Sequence, residues 1–351
     1  IGVWPTDRPY MAAPSTRCLI GPVPFKDVCP DGDGDGDHVS ATEEYGDILV
    51  STLPSVTSHG VLLRQYQGAW LAHHRVPGVI SIQRRFEPRR GDVLLASSPK
   101  CGTTWLKALC FATMARAAYP AGAAEHPLHR LNPHECVPFL DDLFSAGQEG
   151  KLEALPSPRL MHTHMQHHLL PSSVANNPDC KIIYVCRDPK DMLVSLWLFA
   201  RTILPCEDFS EMFESACQGK VIDGPIWDHV AGYWRASKAS PERVMFLRYE
   251  QMLLDPVATV RTLAGFLGVP FLPAEEAAGS PADIAKLCSL ETLKGATGNN
   301  TGSTGAFFKF PHQTYFRKGV VGDWVNYMTP EMAQRFDSIV QDKLRGSGLT
   351  F

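Results

Sequence analysis

The chain lacks any strong excess of charge: 33 Lys and Arg against 37 Asp and Glu leave a formal net charge of -4 over 351 residues. That balance gives no general attraction to nucleic acid or anionic membranes, so any basic site has to be local. An uninterrupted apolar run of about 18 residues is missing, and so is a charged-then-apolar leader pattern; neither a membrane span nor secretion is indicated. There is no CxxC pair, and the ten cysteines (18, 29, 101, 110, 136, 180, 186, 206, 217 and 288) follow no regular framework. Reduced thiols and a cytoplasmic setting are expected. Internal repeats are also absent. What is present, 44% hydrophobic and 20% charged residues, is ordinary for a globular protein with a sizeable core.

Residues 1–43 are rich in Pro, Gly and Asp without a sustained period, which predicts a flexible N-terminal arm. The acidic tract 31–37 resembles a calcium loop superficially, but the register fails. A loop opening at Asp31 places Gly36 correctly yet puts Thr42 at the twelfth position, and one opening at Asp33 puts His38 where glycine is required. A solvated linker is the expectation there.

From residue 44 to 351 short apolar runs alternate with longer amphipathic ones. Strands are predicted over 92–97, 159–163, 181–186 and 243–248, and helices over 104–119, 190–202, 226–238, 256–267, 281–289 and 330–344. This predicts a single α/β domain with a central parallel β-sheet flanked by helices on both faces. The Gly-, Asn- and Thr-rich segment 297–316 reads equally as a lid or as a long surface loop with anchoring aromatics.

Chemistry concentrates at Pro99-Lys100-Cys101-Gly102-Thr103-Thr104-Trp105, between an apolar strand and a helix. A tight loop feeding a helix N-terminus aims free backbone N–H groups at one point, where the helix dipole also favours an anion. Gly102 lets backbone approach closely, and Lys100 and the two threonine hydroxyls suit phosphate or sulfate. In the nucleotide P-loop, G-x-x-x-x-G-K-[ST], lysine follows the second glycine; here it precedes the glycine. A second constellation is Arg187, at the C-terminal end of a predicted strand, with Ser195 two turns into the next helix. Arg187 could equally pair with Asp188 or Asp191. A third is Arg317-Lys318-Gly319 followed by Gly322-Asp323-Trp324. His162, His164, His167 and His168 crowd one stretch. Alternation puts only His162 and His164 on one strand face, too few ligands for a zinc site, so no metal is expected.

The 99–105 heptad resembles the 5'-phosphosulfate loop of soluble sulfotransferases, which use 3'-phosphoadenosine 5'-phosphosulfate (PAPS) and release 3'-phosphoadenosine 5'-phosphate (PAP). The segment from Ile182 to Ser195 is similar to that family's 3'-phosphate region, and 317–324 looks like its R-K-G-x-x-G-D-W element. Pro158-Arg159-Leu160-Met161-His162-Thr163-His164 resembles its P-R-L-x-x-T-H element. Asn132 to Leu140 and Gln65-Tyr66-Gln67-Gly68 look like segments of plant-type members. The resemblance runs from about residue 48 to the end. It implies a P-loop-like phosphosulfate-binding loop and a PAPS sulfotransferase acting on a hydroxyl of a small flavonoid, phenolic or hormone-like acceptor. His164 would be the base and Lys100 would assist the leaving group. Lys100, Cys101, Gly102, Thr103 and Thr104 would hold the 5'-phosphate, Trp105, Tyr249 and Ser289 the adenosine, and Arg187, Ser195, Arg317, Lys318 and Gly319 the 3'-phosphate.

Three residues depart from the family pattern: Cys101 for serine, Leu290 for phenylalanine and Gln166 for proline. The dimerisation signature of animal members, K-x-x-x-T-V-x-x-x-E, is absent from 325–336, which points to a monomer. A P-loop-type kinase and a non-catalytic adenine-nucleotide binder stay open as alternatives. They differ in needing ATP with magnesium, or no base at all.

Overall fold

The computed structural model describes residues 22–29, 47–58, 60–203 and 208–351. The acidic tract and most of the stretch expected to be an arm lie outside these residues. One piece of that stretch does not lie free. Phe25–Val28 forms a helical turn on the body, held by ion pairs from Lys26 to Glu135 and from Asp27 to Arg130, and Val23 is buried beside it.

An antiparallel meander comes first: β1 (Ser55–Ser58), β2 (Val61–Tyr66) and β3 (Ala69–Ala72). Its second turn is only Gln67-Gly68, both at positive φ (48° and 90°), the backbone twist that a two-residue hairpin requires. Sequence reasoning noted these residues without recognising the hairpin.

The central sheet is parallel and four-stranded, in the order β5 (Leu160–Thr163), β4 (Val93–Ser97), β6 (Lys181–Cys186), β7 (Val244–Arg248). Every residue of β4 and β5 is buried, as expected when both faces are covered. Strand alternation sends Leu94, Ala96, Ile182 and Tyr184 to one face and Val93, Leu95, Ile183 and Val185 to the other. The first face packs on helices Val76–Arg85, Ile226–Ala239 and Pro330–Lys343, the second on Thr103–Met114, Pro256–Leu267 and Ser280–Leu287.

Predicted strands and helices are all found, with boundary shifts of one or two residues except at one place. The helix predicted to reach residue 119 stops at Met114. Arg116 folds back onto the Thr113 carbonyl and ties the chain to Glu275 and the Pro270 carbonyl, long-range bonds that no local pattern announces. From β4 the chain crosses first to β5 on one side and then to β6 on the other. The resulting switch point opens a crevice beyond the C-terminal ends of the strands, where open α/β sheets place their ligands.

Candidate active site

The loop leaving β4 fills that crevice. Lys100 (φ 66°) and Gly102 (φ 102°) both take left-handed backbone, and Gly102 caps the helix Thr103–Met114. At Gly102 a Cβ would lie 2.7 Å from the Tyr249 ring, so only glycine fits both the φ and the space. The first N–H groups of the helix thus face open space. The Thr103 hydroxyl is tied to Ser97 Oγ at 2.6 Å, and Thr104 Oγ1 meets His134 Nε2 at 2.9 Å. Cys101 lies fully buried beneath the loop, away from the cavity lining.

Lys100 Nζ sits 3.7 Å from the Phe199 ring centroid. Burial, with Arg187 and Arg317 nearby, pulls its ammonium down to about 7. Arg187, at the end of β6, donates to the Val320 carbonyl (2.8 Å) and lies 3.5 Å from Asp191 and 4.8 Å from the Tyr249 ring. Its Nε is buried without a partner. Asp191 accepts from the backbone N–H groups of Gly322 (2.7 Å) and Trp324 (3.0 Å), and so pins the 317–324 loop beside Arg187. In that loop Arg317 and Lys318 both reach Asp323. Burial opposes its ionisation, but the hydrogen bonds from Lys318 and Arg317 prevail and hold the Asp323 carboxyl at about 2. A Cβ at Gly319 would come 2.8 Å from Leu290 Cδ2. Ser289 caps the helix Leu290–Gly295, and Trp105 meets Tyr249 edge-on at 5.7 Å.

His164 stands just past β5. Its Nδ1 lies 2.7 Å from the Ser97 carbonyl, which can only accept, so Nδ1 carries the proton and Nε2 keeps its lone pair. Burial first, then the Arg75 guanidinium, holds the imidazole well below its ordinary pKa, so it is neutral at physiological pH. The backbone on both sides is fixed. Asp141 accepts from the His164 N–H (3.3 Å) and the Thr163 hydroxyl (2.6 Å), and the His164 carbonyl accepts from His229 Nε2 (3.0 Å). His162 packs edge-on against His164 with ring centroids 4.5 Å apart.

All these groups border one cavity of about 950 Å³: His164, Lys100, Gly102, Thr103, Thr104, Trp105, Arg187, Ser195, Tyr249, Ser289, Arg317, Lys318 and Gly319 lie on its wall. Of the residues singled out from sequence, only Cys101 is set back. Much of the rest of the lining is aromatic, with Phe139, Phe199, Phe308, Phe310 and Tyr315, and Phe199 and Tyr315 approach Lys100 itself. Segment 297–316 supplies much of it, folded as the short helix Thr297–Asn300, a two-stranded ribbon (Ser303–Thr304 with Phe310–Pro311) and a turn of 3-10 helix. Sequence reasoning missed the supporting residues Asp141, His229 and Lys107, and read Asp191 only as a possible partner of Arg187. The side-chain partners of the first three lie 22 or more residues away.

An anion cradle at a helix N-terminus, a second cluster of cations and a neutral imidazole share one cavity, an arrangement suited to a nucleotide that carries two phosphate groups. The sulfotransferase domain family matches residues 90–348, and the chain belongs to that family as a PAPS-dependent sulfotransferase. It is 44% identical over 307 residues to cytosolic sulfotransferase 8 of Arabidopsis thaliana, covering 86% of this chain and 91% of the relative. Cytosolic sulfotransferase 1 of the same plant is 42% identical, covering 86% and 93%. Mouse sulfotransferase SULT7A1, solved in complex with PAP, superposes with a TM-score of 0.62 at 28% identity, over 82% of this chain and 96% of that one.

Proposed function

We propose that this chain transfers the sulfuryl group of PAPS to a hydroxyl of a small flavonoid, phenolic or hormone-like acceptor, with His164 as the base. The observation that carries the reading is the His164 tautomer: Nδ1 is committed to the Ser97 carbonyl at 2.7 Å, and the free Nε2 shares a cavity with Lys100. The acceptor oxygen attacks sulfur as its proton passes to Nε2. The bond from sulfur to the 5'-phosphate oxygen breaks, and PAP leaves. Lys100 stabilises the charge that grows on that oxygen.

The site fits a nucleotide with two phosphates. Arg187 Nε is buried and unpartnered, and both glycine cradles are places where a Cβ would collide. The 5'-phosphate is assigned to Lys100, Thr104 and the backbone N–H groups of Gly102 and Thr103, because the Thr103 hydroxyl is already held by Ser97 and the Cys101 N–H by the Ser98 carbonyl. Arg187, Ser195, Arg317, Lys318 and Gly319 are assigned to the 3'-phosphate, and Trp105, Tyr249 and Ser289 to adenosine. The aromatic lining supports a flat, largely apolar acceptor. A cytosolic monomer with one catalytic domain over 44–351, acting without metal, nucleic acid or membrane, completes the proposal.

The test is incubation with labelled PAPS, or with ATP and magnesium, against a panel of phenolic and hormone hydroxyls. Sulfated product from PAPS alone is expected. Phosphorylated product from ATP would overturn the reading.

A further inference from the structure

A lysine without solvent access lies one helical turn behind the phosphate cradle, and its contacts lead back to the cradle. Lys107 is fully buried within Thr103–Met114. Its Nζ reaches the Val137 carbonyl at 3.1 Å and His134 Nδ1 at 3.1 Å. The other ring nitrogen, Nε2, is 2.9 Å from Thr104 Oγ1. The imidazole is fixed from two further sides. The His134 backbone N–H donates to Asn132 Oδ1 at 2.9 Å, and the ring stacks on Tyr315 with centroids 4.2 Å apart.

Donor inventory sets the direction of this chain. Burial pulls Lys107 down to about 7; below that pH it is an ammonium with three N–H donors and no lone pair, so His134 Nδ1 must accept. Burial, reinforced by Lys107, holds the His134 imidazole well below its ordinary pKa, so the ring is neutral and its single proton sits on Nε2. That N–H points at Thr104 and occupies a lone pair of the hydroxyl. The threonine hydrogen is then free to turn toward the helix N-terminus. With the opposite tautomer Thr104 would spend its hydrogen on the imidazole and present only lone pairs to an anion.

We propose that Lys107 and His134 are positioning residues that orient the Thr104 hydroxyl as a donor to the 5'-phosphate through the sequence Lys107 N–H to His134 Nδ1, His134 Nε2–H to Thr104 Oγ1, Thr104 O–H to phosphate. Aligned donors polarise one another, so the terminal hydroxyl is a better donor than an isolated threonine. The proposal rests on the assignment of Thr104 to the 5'-phosphate.

Two measurements test it, and they separate its failure from that of the assignment. In the ligand-free wild-type protein at pH 6, where Lys107 is an ammonium, selective 15N-histidine NMR, with His134 assigned by comparison with His134→Gln, should show a neutral ring protonated on Nε2. A ring protonated on Nδ1, or on both nitrogens, overturns the relay whatever the protein binds. In titrations with PAP and with adenosine 3'-monophosphate, which lacks the 5'-phosphate, Lys107→Met should weaken PAP about tenfold and leave the monophosphate within about twofold, as expected for one lost bond to a charged group. Placed in a Thr104→Val background, Lys107→Met should add nothing further for PAP. Equal losses for both ligands, or a full further loss in the double variant, would mean that Lys107 only supports packing. Wild-type protein that binds neither ligand while showing the Nε2 tautomer would refute the nucleotide assignment instead.

Discussion

The two ends of the cavity are built from different materials. The donor end is backbone and paired charge: left-handed Lys100 and Gly102, the start of a buried helix, and cations held by Asp191 and Asp323 at the C-terminal edge of the sheet. The acceptor end is aromatic surface on short, irregular segments, much of it from 297–316. Main-chain N–H groups and these glycines tolerate little change, because Gly102 and Gly319 sit at φ 102° and 65°, and a Cβ at Gly102 would also lie 2.7 Å from the Tyr249 ring. Aromatic walls on loops can change shape while the sheet stays as it is. His164 borders both ends, beside the aromatic Phe139 and on the same cavity as Lys100.

Substitutions on the two sides should separate cleanly. The largest effect is expected from His164→Ala, which should lower turnover on the order of 10³-fold while PAP affinity in calorimetry stays within about twofold of wild type. Parallel loss of binding and turnover would show that His164 belongs to the nucleotide site. Lys100→Met should reduce kcat by roughly 10²-fold, more than it raises KM for PAPS. Lys100 also sets a pH dependence. Its amine is pulled down to about 7 in the free protein, so above that pH an anion must recruit a proton to bind. PAP affinity should therefore fall as pH rises from 7 to 9, and the slope should flatten in Lys100→Met; an unchanged slope would assign the titration elsewhere.

Smaller effects should follow on each side. Gly102→Ala forces a side chain against Tyr249 at a φ of 102°, and a loss of roughly 1–3 kcal/mol in denaturant unfolding is expected, with weaker PAP binding. Lys318→Met should weaken PAP about tenfold but leave adenosine 5'-monophosphate, which has no 3'-phosphate, almost unaffected. On the aromatic lining, Phe308→Ala should change acceptor KM a few-fold and leave PAP binding unmoved. If that variant weakened PAP as much as Lys318→Met, the two ends would not be independent.

The sequence exposed the donor end far better than the acceptor end, for a physical reason. Backbone cradles need glycine and a cation at fixed spacing, so Lys100 and Gly102 could be named from order, while Arg187 and Arg317 to Gly319 needed the family resemblance to be chosen over plain ion pairs. The four strands of the sheet were visible as apolar runs for the same reason: parallel strands bury both faces. Asp141 and His229 were not visible, and Asp191 was visible only as a possible partner of Arg187. Each acts through a partner that only the fold brings near, as when the Asp191 carboxylate meets the N–H groups of Gly322 and Trp324 across 131 and 133 residues. The hairpin at Gln67-Gly68 did carry a signal, a glycine in a two-residue turn between alternating strands, and it was missed because the strands are short. Arg317, Lys318 and Asp323 were legible as one element, but not that the carboxylate is the counter-ion of both cations.

We propose direct transfer from PAPS to the acceptor oxygen, with His164 as base and no sulfated protein between them. A single-turnover experiment with enzyme in excess over sulfur-labelled PAPS tests it most directly. Label should pass to the acceptor at the rate at which PAP forms, and only when the acceptor is present. Label bound to the protein before acceptor is added, or PAP formed without sulfated acceptor, would contradict the account.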